Sequence, residues 1–539
     1  MLRLALVLLI VATAPNATTS GAIVAVGPNP VAMHDRGEYL ILEFPAPTAL
    51  DGWTITDGET VVALPDQTVS GRIVLTGDPA LVEPWVAPPV LAYHGRLALA
   101  NAGEVIELRR DGQLVDRVAV GRAPEGFRYV KSSDGWVWRR EGTTSFAVSR
   151  AGPSTARVFV LPDAPHETER VLATARDRIH LGAYTFTSRE AAAILCRARA
   201  RGVNVSMVVD GAPVGGLTRR EASVLDRLAG CGVELTVLGG PYARFAFHHA
   251  KYAVVDDRVL VMTENWKPSG SGGRSNRGWG VVIESRPVAD ALAAVFDADT
   301  GWRDGSPWTD YRIDREFDEA GSANGTFRAV HPPTAVRVDA VSLLVTPDNA
   351  EGRLLGLLDN ATDSIAVQQV TLGRPGNPLR RAILRAARRG VRVRLLLSGA
   401  WYARAENRDV AEALRELSRR ESLPLEVRVA NPAGRFGKLH SKGIVIDGDQ
   451  AVVGSINWNN NSLRRNREVA VVLHGTEAGA YYTEVFLGDW RGGLWRITVG
   501  LIGLAVITVV GGSLWARDRF VFDPEGLDAG RRSGSLADE

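Results

Sequence analysis

The middle of the chain alternates short aliphatic runs with longer stretches that are apolar on one side only. Residues 190–201 are rich in Ala, Leu and Arg and end at Gly202, and Val203–Val209 follows as an apolar, β-branched run. This pattern predicts a glycine-terminated helix and then a buried strand. It recurs at Ile383–Arg389, Gly390 and Val391–Leu397. Strands alternating with helices predict an α/β layered fold.

Three segments repeat in the same order, about 190 residues apart. Ile179-His-Leu-Gly-Ala-Tyr-Thr185 matches Ile365-Ala-Val-Gln-Gln-Val-Thr371. Ile194–Asp210 matches Ile383–Ser398, and His249–Asp256 matches His440–Asp447. A repeat of this length is domain-sized, so the pattern predicts two duplicated α/β halves. We place them at 160–305 and 341–490. The polar, Gly/Asp/Pro-rich stretch 306–340 reads as the linker between them.

Residues 21–150 are patterned differently. Tyr39–Phe44, Thr60–Leu64 and Arg72–Leu75 are short alternating runs separated by Asp-Gly and Pro-Asn turns. They predict a separate β-sandwich.

The two ends are apolar. Arg3 precedes a short apolar run, and small and polar residues follow over Thr13–Ala22. That is the layout of a signal peptide over 1–20. Ile497–Trp515 carries no charge and is bracketed by Arg496 and Arg517. It is long enough to span a bilayer as a helix, and Trp490, Trp495 and Trp515 suit its interfaces. Arg517, Arg519, Arg531 and Arg532 place the 516–539 tail in the cytoplasm and residues 21 to 490 outside it.

Composition narrows the chemistry. A hydrophobic share of 45% excludes global disorder, and a net charge of +2 gives no overall field for nucleic acid. Only five of the 63 basic residues are lysine: Lys131, Lys251, Lys267, Lys438 and Lys442. Cys196 and Cys231 are the only cysteines, free to bridge or to stay reduced. No HExxH, GxxxxGK[ST] or GxSxG occurs, and neither a metal nor another cofactor is called for. Most arginines between 380 and 394 read as a solvated helix face.

The two halves share His-x-Lys-x4-Asp: His249, Lys251, Asp256 and His440, Lys442, Asp447. An imidazole serves as nucleophile, base or acid near neutral pH. A lysine two residues on adds a fixed positive charge. Two such sets around one anion suit a phosphate diester, whose oxygens gain charge in the transition state.

These motifs, with Gly454-Ser-Ile-Asn-Trp458, resemble the duplicated motif of the phospholipase D superfamily over about 165–490. The resemblance implies two pseudo-symmetric halves sharing one site and a covalent phosphohistidine. It implies His249 and His440 as nucleophile and general acid, in an order left open. Lys251, Lys442, Asn265 and Asn457, with Ser455 and Thr263, would bind phosphate. Glu468 would orient an imidazole. Asp256 and Asp447 belong to the motif and read more as structural than chemical. The first half departs from the pattern. Where the second has Asn466-Arg467-Glu468, the first has Asn276-Arg277-Gly278, with no carboxylate. Glu264 and Gln369 are the nearby candidates to replace it. Residues 21–150 resemble a lamin-tail immunoglobulin-like domain, through Gly37–Leu42, Leu50-Asp-Gly-Trp53 and Gly135–Ser145.

The expected function is that of a membrane-anchored phosphodiesterase acting on phospholipid, by hydrolysis or transfer. The alternatives are a metal-independent nuclease of the same superfamily and a degenerate binding protein. Oligomeric state is left open.

Overall fold

The computed structural model describes residues 20–31, 37–82, 88–95, 97–132, 135–319, 321 and 323–492. The predicted signal peptide, apart from its last residue, and the apolar run 497–515 lie outside them. Among the described residues no helix is long and apolar enough to cross a membrane.

The N-terminal region is a β-sandwich. One sheet runs in the order Gly135–Arg140, Phe127–Ser132, Ala22–Asn29, Tyr39–Ala49, Thr68–Thr76 and Val90–Ala92. The other pairs Val61–Ala63, Trp53–Thr56, Glu104–Arg110 and Gln113–Val120. Alternate residues of both sheets (Leu40, Leu42, Phe44, Ile55, Ile106 and Leu108) meet in one core. That follows from the two-residue side-chain period of a strand.

Two mixed sheets follow, built to one plan. In the first half, Arg178–Ala183, Asn204–Asp210 and Glu234–Leu238 run parallel. Tyr252–Val255, Arg258–Met262 and Asn276–Glu284 continue the sheet antiparallel. In the second half, Ser364–Gln369, Arg392–Leu397 and Leu425–Val429 are parallel. Gly443–Ile446, Gln450–Gly454 and Glu468–His474 extend it. The helices Arg189–Ala200 and Pro378–Arg388 occupy equivalent places. Ser188 and Asn377 cap them through side-chain oxygens, which fixes where each begins.

The strands are buried on both faces, which is why they read as unbroken apolar runs. Val158, Val254 and Ile283 of the first sheet and Val341, Val453 and Val471 of the second share one core. The helices Arg286–Thr300 and Thr476–Arg491 contribute Leu292, Val295, Tyr482 and Val485 to it. The opposite faces carry separate cores under the outer helices.

The boundaries differ from the sequence reading: the first sheet already begins at Ser154, and Gly305–Pro307 and Trp308, which run into the stretch read as linker, still belong to the first half. Ser149–Ala151, whose first two residues were assigned to the sandwich, pairs with Ala340–Thr346 in the second sheet. Thr334–Val338, inside the stretch read as linker, pairs with Ser154–Leu161 in the first. Both are short edge strands in polar sequence, where the alternation is too brief to signal a strand. Cys196 and Cys231 form a disulfide between the Arg189–Ala200 helix and the end of Arg219–Gly230. Of the 380–394 arginines, 385, 388, 392 and 394 make surface ion pairs, whereas Arg380 is buried.

Candidate active site

His249 and His440 sit just before the motif strands Tyr252–Val255 and Gly443–Ile446, at the seam of the two sheets. Each histidine loop is hung on the other half. The His249 N–H donates to the Arg467 carbonyl at 2.8 Å, and the His440 N–H donates to the Arg277 carbonyl at 3.0 Å.

Those arginines anchor the seam. Both are fully buried. Arg277 pairs with Asp163 of its own half at 2.6 Å and Asp489 of the other at 3.1 Å. Arg467 mirrors it, with Asp348 at 3.2 Å and Asp299 at 2.8 Å. A buried guanidinium is tolerable only where carboxylates offset its charge, as two do for each of these. Thr144, just past the sandwich, also accepts from Arg467 at 2.7 Å and donates to Asp348 at 2.6 Å.

Each imidazole is oriented by a carboxylate of the opposite half. His249 Nδ1 meets Glu468 Oε2 at 2.7 Å, and His440 Nδ1 meets Glu264 Oε1 at 2.9 Å. Engaging Nδ1 leaves Nε2 for chemistry. The imidazole side chains are 12% and 17% exposed, so the rings reach solvent only at an edge.

Glu264 supplies the carboxylate that the Asn276-Arg277-Gly278 segment lacks. A Cβ built on Gly278 would fall 2.2 Å from Glu264 Cγ. Glu264 therefore occupies the space that a side chain at 278 would fill. Asn276 Nδ2 donates to Glu264 at 2.7 Å, as Asn466 Nδ2 donates to Glu468 at 3.0 Å. Ser462 also bonds to Glu468. Gln369 is buried and donates to the Ile456 carbonyl at 3.3 Å, so it does not take this role.

Lys442 Nζ lies 3.2 Å from His440 Nε2 and donates to the His440 carbonyl at 2.7 Å. Lys251 bonds to the His249 carbonyl. Asn265 is buried with its Oδ1 unpartnered, and Asn457 is half-buried. Among the described residues no three His, Cys, Asp or Glu side chains are grouped to hold a metal ion.

Burial pushes both imidazoles down to about 4; the lysines add to this and the glutamates oppose it. Burial likewise lowers Lys442 to about 8 and takes Lys251 well below the usual lysine range. Burial would raise Glu264 and Glu468, but the facing histidines and lysines outweigh it and hold both below the ordinary glutamate value.

Four residues named from sequence stand elsewhere. Thr263 and Ser455 were expected on the substrate, yet both are fully buried. Their hydroxyls accept the N–H of Trp279 at 3.0 Å and of Val469 at 3.1 Å. They fix the strands that carry the site. Asp256 and Asp447 lie past the far ends of the motif strands, with φ of 55° and 51°. Asp256 accepts the N–H groups of residues 176, 177 and 178, and Asp447 those of 362, 363 and 364, at 2.8–3.0 Å. They are turn locks, not reacting groups. Sequence reasoning missed Arg277, Arg467, Asn276 and Asn466. Their signal was the repeated Asn-Arg pair, which carries no chemistry until the fold pairs it across the seam.

The family model described as "Cardiolipin synthase, PLD-like domain" matches residues 169–300 and 354–490. No curated protein matches the sequence. Among solved structures, phosphatidylserine synthase from Haemophilus influenzae Rd KW20 aligns at 16% identity and a TM-score of 0.48, over 63% of this chain and 88% of its own. Polyphosphate kinase from Porphyromonas gingivalis aligns at 13% and 0.42, over 63% and 51%. Nuc, a phospholipase D family member from Salmonella typhimurium, aligns at 25% and 0.25, over 29% and 97%. With its two matched segments, one over each half of the repeat, the chain belongs to the phospholipase D superfamily and is a phosphodiesterase of that type.

Proposed function

We propose that the protein is a membrane-anchored phospholipase D-type enzyme, facing out of the cytoplasm, that hydrolyses or transfers phosphatidyl groups through a phosphohistidine. The carrying observation is the crossed pair of His–Glu couples, each flanked by a lysine. A neutral imidazole attacks phosphorus through Nε2 and forms the N–P bond as the P–O bond to the leaving alcohol breaks. The second imidazole gives that alcohol its proton. It then takes the proton of an incoming water or alcohol, whose oxygen displaces the first histidine. Lys251, Lys442, Asn265 and Asn457 surround the charge that develops on the phosphoryl oxygens. The anionic diester offsets the lysine charges, which lets the acid imidazole hold its proton when substrate is bound.

The family model's description supports phosphatidyl chemistry. The apolar run 497–515 supports an anchor. The disulfide supports an oxidising compartment. The reading of a degenerate binding protein rested on a missing carboxylate and on Thr263 in place of serine; Glu264 stands where the carboxylate is needed, and Thr263 bonds its strand as Ser455 does.

The test offers full-length protein phosphatidyl-lipid vesicles, cardiolipin, and single- and double-stranded DNA, with a chelator present. Lipid turnover, with acid-labile phosphate trapped on a histidine, is the expected result. Cleavage of DNA alone would make the protein a nuclease. Inertness toward every diester would overturn the enzymatic reading.

A further inference from the structure

The two most exposed large apolar side chains among the described residues are Trp401 and Val214, at 86% and 81%. They stand on corresponding loops, after the parallel strands Arg392–Leu397 and Asn204–Asp210. Both loops border the site. The Val214 N–H donates to the Tyr184 hydroxyl at 2.6 Å, and the Tyr184 ring lies 4.5 Å from that of His249. On the other side Trp401 packs edge-on against Tyr402 at 5.6 Å, and Lys438, two residues before His440, lies 5.1 Å over the Tyr402 ring. An exposed apolar tip thus stands on each side of the reacting groups.

Beside the Trp401 loop is a cavity of about 900 Å³ that Gly399 helps to line. Its walls carry Arg404, Arg408, Arg415, Arg419 and Arg428, against one acidic residue, Glu412. Arg404, Arg415 and Arg428 lean on backbone carbonyls. Arg408 and Arg419 are exposed, with no carboxylate partner among the described residues. Five guanidiniums around one hollow fit phosphate groups.

The C-terminal end of the described chain adjoins this cavity. Arg428 stacks on Trp490 at 4.4 Å and donates to its carbonyl at 3.1 Å. From Gly492 the sequence needs five more residues to reach the apolar run at Ile497. Fully extended, those residues reach roughly 17 Å. A bilayer holding 497–515 therefore begins within that distance of Gly492, two residues past the Trp490 that Arg428 contacts.

We infer that this end of the catalytic module rests on an anionic phospholipid surface. Trp401 and Val214 enter the interface on either side of the site, and the arginine cavity holds lipid headgroup phosphates. The inference rests on the tethered-diesterase reading and deepens it: the site opens toward the membrane that anchors it. Aromatic and aliphatic tips suit the interfacial zone, and arginines beside them suit anionic headgroups.

The experiment uses full-length protein reconstituted in vesicles of phosphatidylcholine, with or without phosphatidylglycerol. The native cysteines are bridged, so Trp401→Cys gives one site for a fluorophore, and Leu114→Cys on the sandwich gives a control. Brominated lipid should quench the label at 401 and not the one at 114, more strongly with phosphatidylglycerol. Arg408→Gln with Arg419→Gln should remove that added quenching. Trp401→Ala with Val214→Ser should raise the apparent KM on phosphatidylglycerol vesicles about tenfold, with kcat on bis(p-nitrophenyl) phosphate retained. A label at 401 that stays in water in the anchored protein overturns the inference. So does one that single-stranded DNA shields and lipid does not, which would make this a nucleic-acid surface. Failure of the diesterase reading shows separately, as no turnover of the soluble diester by unsubstituted protein, and leaves the quenching result standing.

Discussion

The two catalytic halves present the same imidazole and ammonium from the same strand, yet their carboxylates come from different places. In the second half Glu468 opens the strand Glu468–His474. In the first, that position is Gly278, and Glu264 reaches the same space from just beyond the neighbouring strand Arg258–Met262. Each carboxylate serves the histidine of the opposite half. What the duplication keeps is a charge at a point in space, held by an equivalent asparagine. The sequence position of that charge is free to move.

The largest effect should come from the histidines. His249→Ala and His440→Ala should each lower kcat on a diester by at least about 10³-fold, since in the proposed mechanism nucleophile and acid act in one reaction. Substantial activity in one of the two would break the symmetry and leave a single working half. The buried arginines come next. Arg277→Met and Arg467→Met each take a guanidinium away from two buried carboxylates and should cost about 3–5 kcal/mol in denaturant unfolding. Unequal losses would show which half anchors the seam.

Acid should weaken both halves together. Each imidazole sits at about 4 in the folded chain, against 6.5 for an ordinary histidine. Between those values the unfolded chain takes up protons that the folded chain refuses, so stability present above pH 6.5 is lost as pH falls toward 4. The expected loss is on the order of 3 kcal/mol per histidine, read as a fall in Tm. Glu264 and Glu468, held below the ordinary glutamate value, extend the loss on further acidification. A Tm that is flat across this range would mean that the imidazoles are not depressed.

The sharpest comparison moves the carboxylate. Glu264→Gln and Glu468→Gln should each reduce kcat on the order of 10²-fold. Gly278→Glu alone should be disruptive, because its Cβ meets Glu264. Combined with Glu264→Ile, which copies Ile456 of the second half, it should recover about tenfold over Glu264→Ile alone. No recovery would mean that Glu264 does more than orient His440.

Much of this was legible in the sequence. The apolar runs and glycine stops marked the duplicated helix–strand units, and the matched His-x-Lys motifs marked the site. The source of the second carboxylate was legible only as a choice between Glu264 and Gln369, which the structure settles for Glu264. Glu264 follows Thr263 as Ile456 follows Ser455, and no spacing rule links an isoleucine position to a glycine fourteen residues on. Only the Gly278–Glu264 contact joins them. The seam was hidden for a related reason. Arg277 and Arg467 look like any of the chain's many arginines until Asp489 and Asp299 arrive from the opposite half. Thr263 and Ser455 misled because a hydroxyl beside a motif suits a phosphate and a strand N–H equally well.

The crossed arrangement also bears on how such a chain can change over time. Each half carries the histidine of one couple and the carboxylate of the other, and its main chain holds up its neighbour's reactive loop. A mutation in either copy is therefore felt in both couples, and its remedy can arise in a different strand from the original lesion. The two copies have become mutual dependants. Neither can be discarded or borrowed as a working half, although their sequences remain free to drift apart.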